Sequence, residues 1–308
     1  MLEQIKKEIC NIGDRIYKKG FATGNDGNIS YRLNENEVVC TPTMISKGFM
    51  TPDDLCIVNM NGEQISGKRK MTSEIKLHLT LMKELPEVKS VVHCHPPYAT
   101  AFGIARELIP LGVMPEIEVQ LGEVPIVHYA IPGSQELADT ILPIAHKSRV
   151  CVLANHGTLS WGDTVEHAYW WTEMLDGYCR LLMLAHNLGN VGYFSRQDIQ
   201  DLLELKKRWN VTDPRTSMEG IDIGDNDVFR DLWEKAGFGH RAFVPPGCVA
   251  ARAEGRGCVS EQTFFGATPS NQETTLSETK SNGLGNAMNL DALTDIIAEK
   301  VAKKLKEK

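Results

Sequence analysis

The chain has 308 residues, 42% of them hydrophobic, and a formal charge of −7 at pH 7. That length supports one large domain or two modest ones with a real core, and the acidic balance excludes a general attraction to nucleic acid. No run of 18 apolar residues argues for a membrane span, and the eight cysteines, none in a CxxC, read as free thiols of a reducing cytoplasm.

Leu2, Ile5, Ile9, Ile12 and Ile16 keep helical spacing, so an opening amphipathic helix is predicted over 2–19. Its charged start is unlike a signal peptide. A loop at 24–28 leads to a short strand at 29–32, with an antiparallel neighbour at 37–41. Residues 55–59 and the Asn61-Gly62 turn suggest another hairpin. Ser73 is predicted to cap a helix through Leu85, with Pro86 near its stop. Val91 and Val92 lead into His93-Cys94-His95, and a helix is expected over 99–108. Residues 150–154 form a core strand and a long helix spans about 164–187. The order describes one α/β domain with a largely antiparallel sheet, because strict βαβ alternation is absent.

The composition changes after about residue 250. Residues 1–250 are assigned to one folded domain, with an extension from about 211 that includes a helix near 227–236. Residues 251–289 are rich in Gly, Ser, Thr, Asn and Glu and read as a flexible linker. Over 290–308, Leu293, Ile297, Val301 and Leu305 repeat every four positions, with acids near the start and lysines near the end. A helix this short is marginal alone, so its apolar face needs a surface. That surface is either its own domain or a separate partner; the long linker favours docking on a partner.

The chemistry centres on three histidines. Side chains at i and i+2 on a strand share one side, so His93 and His95 can face one point while Cys94 turns away. His156, in Asn155-His156-Gly157 after a second apolar strand, completes a three-nitrogen set suited to zinc with positions left open. Glu74, at a helix start, is either a ligand or proton-transfer group beside that metal, or a carboxylate that merely satisfies helix-start amides. Asn25–Asn28, Thr41-Pro42-Thr43 and Thr72-Ser73 offer amides and hydroxyls for an anion, although each alone is a common turn or cap. Lys47 either adds charge to that cradle or is simply solvated. No P-loop or dinucleotide fingerprint is present.

Together Gly27-Asn28-Ile29-Ser30, Thr41-Pro42-Thr43, Thr72-Ser73-Glu74, His93-Cys94-His95 and Asn155-His156-Gly157 resemble the class II aldolase and adducin family over roughly residues 1–210. The resemblance implies a three-layer α/β/α sandwich with a central, mainly antiparallel sheet. It also implies a homotetramer with intersubunit active sites. His93, His95 and His156 then look like ligands of one Zn2+ per subunit, with Glu74 as the catalytic acid/base that also touches the metal. Asn28, Thr43, Thr72 and Ser73 look like the phosphate-binding set, and Tyr129 lies where a tyrosine acid/base is commonly found.

The implied reaction is reversible cleavage of a 6-deoxyketose 1-phosphate, L-fuculose 1-phosphate preferred, to dihydroxyacetone phosphate and lactaldehyde. Met44 and Asp26 depart from the usual aldolase pattern. Epimerase, dehydratase and decarboxylase relatives share the chemistry, and adducin itself lacks the complete metal set. The tail resembles an encapsulation peptide, which implies a microcompartment shell protein as partner and a cytoplasmic enzyme confined within a bacterial microcompartment.

Overall fold

The structure, a computed structural model, describes residues 1–189, 191–209, 211 and 213. The linker, the terminal helix and the helix expected near 227–236 lie outside the described residues.

Helix α1 (Leu2–Lys18) buries Ile9, Ile12 and Ile16, the stripe expected from the spacing. It is followed by β1 (Asn28–Arg32), β2 (Glu37–Cys40), β3 (Cys56–Asn59) and β4 (Gln64–Ser66). Next come α2 (Ile75–Glu84), β5 (Ser90–Cys94), α3 (Pro97–Ala105), β6 (Ile126–Val127) and α4 (Gln135–Asp139). The strands β7 (Val150–Leu153) and β8 (Gly157–Gly162) and the helices α5 (Val165–Leu188) and α6 (Arg196–Arg208) complete the described chain. The eight strands form one sheet in the order β4-β3-β2-β1-β5-β8-β7-β6. Every neighbouring pair is antiparallel except β6 and β7.

The sheet is covered on both faces. Val38, Val58, Val91, Cys151 and Leu153 pack with α2 and the α4 region, through Leu81, Met82 and Leu137. On the other face Ile29, Val39, Val92 and Cys94 meet α1 and the start of α5, through Ile12 and Tyr169. Val150 and Val152 meet α3 and the rest of α5, through Phe102 and Leu175. Full burial of each such aliphatic side chain stabilises the fold by about 1.5–3 kcal/mol. This is the expected α/β/α arrangement.

Local departures have local causes. Helix α3 begins at Pro97, two residues earlier than expected, because proline at the first helical position sacrifices no hydrogen bond. It ends where Arg106 turns left-handed at φ 64°. At α2 the N-cap position falls on Glu74 instead of Ser73, and the Glu74 side chain makes no capping bond. Thr72 Oγ1 accepts from the Glu74 amide at 3.3 Å instead. Strand β8 was not anticipated; its residues are buried on both faces, so it shows no alternation.

Candidate metal centre

Strand β5 is central, flanked by β1 and β8, and wholly buried. Because side chains alternate, residues 91, 93 and 95 share the face covered by α2, while Val92 and Cys94 enter the core on the other side. His95 follows the strand's last residue, and its backbone N–H donates to the Phe21 carbonyl at 2.7 Å. His156 sits in the β7–β8 turn, after Asn155 in a left-handed conformation at φ 55°.

The three imidazoles meet at the end of the sheet. One ligand atom from each of His93, His95 and His156 lies within 4.8 Å of the others. Ring centroids are 4.6–5.1 Å apart. His93 Nε2 lies 3.1 Å from His95 Nε2. His93 Nδ1 donates to the Thr158 carbonyl at 2.8 Å, which leaves Nε2 as a lone pair facing the cluster. Burial drives the His93 imidazole down to about 3, so it is neutral and able to bind a cation. Burial lowers His156 as well.

Helix α2 brings Glu74 onto this cluster. Glu74 and His78, one turn apart, project toward β1, where Asn28 and Ser30 share the same strand face. Asn28 Nδ2 donates to Glu74 Oε2 at 2.8 Å, and Ser30 Oγ meets His78 Nδ1 at 2.7 Å. Strand register places Asn28 opposite His93. Glu74 Oε2 is 3.3 Å from His93 Nε2, and Oε1 is 3.6 Å from His156 Nε2. Glu74 is only 8% exposed, and its Oε1 has no hydrogen-bond donor among the described residues. Burial alone would raise this carboxyl, but the groups around it, the Asn28 amide donor among them, outweigh burial and hold it below its ordinary value.

These observations fit a bound cation. Three nitrogens converge, two Nε2 atoms approach with no shared proton required, and a buried carboxylate oxygen beside them lacks a donor. His93, His95 and His156 are the residues that would hold a metal, with Glu74 at its edge.

The anion-binding candidates are joined by backbone bonds. Thr72 N donates to Thr41 O at 3.1 Å, and Thr43 N to Lys70 O at 3.0 Å. Thr41 Oγ1 accepts from Ile29 N at 3.1 Å, so that hydroxyl is committed internally. Thr43 is half-buried, Thr72 buried and Ser73 exposed, in the turn before α2. Gly133, at φ 78°, packs the segment after β6 against this turn, since a Cβ there would lie 2.8 Å from Ser73 O.

Lys47 is not solvated. It is 1% exposed and donates to Asn25 O at 3.0 Å and Ile45 O at 2.7 Å. It therefore ties two cradle loops together. Burial pulls its ammonium down to about 8, against the opposing pull of Asp26. Tyr129 is 53% exposed, and none of its described contacts reaches the histidines or Glu74. Two features were missed in the sequence: the Thr158 carbonyl behind His93, which is backbone and leaves no residue signature, and His78 behind Glu74. The i, i+4 spacing of Glu74 and His78 was the available signal for the latter.

Residues 7–183 match the family model described as the class II aldolase and adducin N-terminal domain. The chain belongs to this family. One curated relative, L-fuculose phosphate aldolase of Methanococcus maripaludis, is 35% identical over 181 residues, which cover 59% of this chain and 96% of the relative. Another, 3-oxo-tetronate 4-phosphate decarboxylase of Escherichia coli, is 30% identical over 206 residues, covering 65% of this chain and 95% of the relative. Among solved structures, YgbL of Klebsiella pneumoniae, for which aldolase, epimerase and decarboxylase are all offered as activities, has 29% identity and a TM-score of 0.61, covering 66% of this chain and 99% of its own. The protein is thus a lyase of the metal-dependent class II aldolase type. Among the described residues, no helix is long and apolar enough to cross a membrane.

Proposed function

We propose that this protein is a zinc-dependent aldolase that cleaves a 6-deoxyketose 1-phosphate, with L-fuculose 1-phosphate as the preferred substrate. The observation that carries the reading is the position of Glu74: buried and directed at two of the three clustered imidazoles, not at its own helix start. A carboxylate held there is poised for proton transfer at the carbon beside a polarised carbonyl.

In this reading His93, His95 and His156 hold the zinc, which supplies Lewis-acid stabilisation of developing oxygen charge. The rest is performed by side chains of the chain. Thr43, Thr72, Ser73 and the amides around Asn28 hold the phosphate, which keeps the reacting carbons in register. The C3–C4 bond breaks as the C4 hydroxyl loses its proton, with Tyr129 as the residue assigned to that proton. The aldehyde departs, the electron pair stays on the three-carbon enediolate, and Glu74, protonated by the equivalent that the C4 hydroxyl gave up, delivers it to C3 to give dihydroxyacetone phosphate. In the condensation direction Glu74 removes that proton. The Asn28 amide stabilises the charged form of Glu74 in either direction.

A second reading is favoured by the decarboxylase relatives. Loss of carbon dioxide from a 3-oxo-tetronate 4-phosphate leaves the same enediolate, protonated by the same Glu74. Only the departing group differs. The wider proposal is a homotetramer with intersubunit sites, acting in fucose or rhamnose breakdown. Residues 290–308 would dock it to a microcompartment shell, a reading supported by the four-residue apolar repeat and the long polar linker.

The test is release of dihydroxyacetone phosphate from L-fuculose 1-phosphate by zinc-loaded protein, read through a coupled NADH assay. Turnover reduced by about 10²–10⁴-fold in Glu74→Gln supports the aldolase. No release from that sugar, with carbon dioxide formed from 3-oxo-tetronate 4-phosphate, assigns the protein to decarboxylation.

A further inference from the structure

The three histidines differ in what stands behind them. His93 Nδ1 is bonded to the Thr158 carbonyl at 2.8 Å. His156 Nδ1 is buried with no hydrogen-bond partner among the described residues. His95 Nδ1 faces a carboxylate: Asp26 Oδ2 lies 3.4 Å away. The other nitrogen of that ring, Nε2, lies 3.1 Å from His93 Nε2 inside the cluster. Asp26, His95 and the cluster therefore stand in series.

Asp26 is held by its loop. Its backbone N–H donates to Thr23 O at 3.0 Å, and its Oδ2 accepts from Thr23 Oγ1 at 2.9 Å. The next residue, Gly27, is left-handed at φ 77°, and a Cβ there would lie 2.9 Å from His93 O. The loop is thus pressed against the end of β5, with Asp26 beside His95. Lys47, itself buried, donates to Asn25 O at 3.0 Å in the same loop. The sequence marks Asp26 only as a departure from the usual aldolase pattern. In the structure its Oδ2 accepts from Thr23 Oγ1 and lies 3.4 Å from His95 Nδ1.

We infer that Asp26 is a positioning residue that orients and strengthens His95 as a metal ligand. It rests on the zinc reading above. An imidazole that gives its outer N–H to a carboxylate has one tautomer, a fixed ring plane and a more basic inner nitrogen, and loss of such a partner weakens metal binding by about 10–100-fold. Asp26 raises zinc affinity through His95 without touching the ion. Strain at the metal and contact with substrate are not required.

Zinc affinity of the metal-free full-length chain, measured against a chromophoric chelator at fixed pH, tests this without turnover. Asp26→Ala should weaken binding about 10–100-fold. Asp26→Asn, which keeps an oxygen acceptor but loses the charge, should fall between it and the parent, and Asp26→Glu should recover part of the loss. Cobalt-loaded Asp26→Ala should show a shifted ligand-field spectrum, which a purely structural role would not produce. Circular dichroism of each metal-free variant establishes that the fold is intact. For an Asp26→Ala that misfolds, Thr23→Val serves instead: it removes the hydroxyl that holds Oδ2, and it should weaken zinc binding measurably. An intact Asp26→Ala that binds zinc within twofold of the parent, while His95→Ala loses it, overturns this inference and leaves the zinc site standing. A parent chain that takes up no zinc overturns both.

Discussion

His78 makes the acid sensitivity of the fold calculable. It is fully buried, at 0% exposure. Its Nδ1 meets Ser30 Oγ at 2.7 Å, and its Nε2 has no partner among the described residues. Burial drives it from 6.5 down to about 4, against the opposing pull of Glu74. The folded state therefore resists the proton that the unfolded chain accepts first as pH falls. The stability contributed by neutral His78 is fully present above about pH 6.5 and is lost progressively as pH falls through about 4. The full difference is about 3 kcal/mol, and about 2 kcal/mol of it falls between pH 7 and pH 5. His78→Gln keeps a polar partner for Ser30 and does not titrate. Urea unfolding of metal-free parent and variant at pH 7 and pH 5 isolates the term, because His93 contributes equally to both. The variant should lose about 2 kcal/mol less than the parent between those pH values. Equal losses would mean that His78 is solvated or already protonated in the fold, and the reasoning would fail.

Other substitutions probe the links between site and scaffold. Asn28→Ala removes the donor to Glu74 Oε2; kcat/KM should fall roughly 10–100-fold, from the worth of a hydrogen bond to a charged group, and the acidic limb of its pH profile should move upward because the carboxylate loses stabilisation. Gly27→Ala places a methyl group 2.9 Å from His93 O at a left-handed position, so thermal unfolding should show a loss of about 1–2 kcal/mol or more, with weaker zinc uptake. Ile12→Ala empties a site that is 1% exposed between α1 and the sheet, and denaturant melts should show about 2–5 kcal/mol lost with zinc binding retained. Tyr129→Phe should slow retro-aldol turnover far more than it changes substrate KM; unchanged turnover would remove Tyr129 from the proposed chemistry.

Much of the site was legible because strand periodicity is strict. The His-x-His pair had to share a face, and Cys94 had to enter the core. The partners of those histidines were not legible. That Asn28 serves Glu74 depends on the register of β1 against β5 and on where α2 crosses them. The burial of Lys47 was not legible, because its acceptors are backbone carbonyls, one of them Asn25 O in a loop 22 residues away. Helix α6 carries a start signal readable in sequence, the Ser195 and Asp198 capping box. Strand β6 is two residues long, too short for any period to register.

The central claim is that Glu74 exchanges a proton with the carbon next to the carbonyl of a three-carbon phosphate. Dihydroxyacetone phosphate alone, incubated in D2O with zinc-loaded protein and followed by proton NMR, isolates that step from any aldehyde or carbon dioxide. The account predicts stereospecific exchange of one C3 hydrogen by the parent and its loss in Glu74→Gln. Exchange at an equal rate in Glu74→Gln, or none in the zinc-loaded parent, would contradict it.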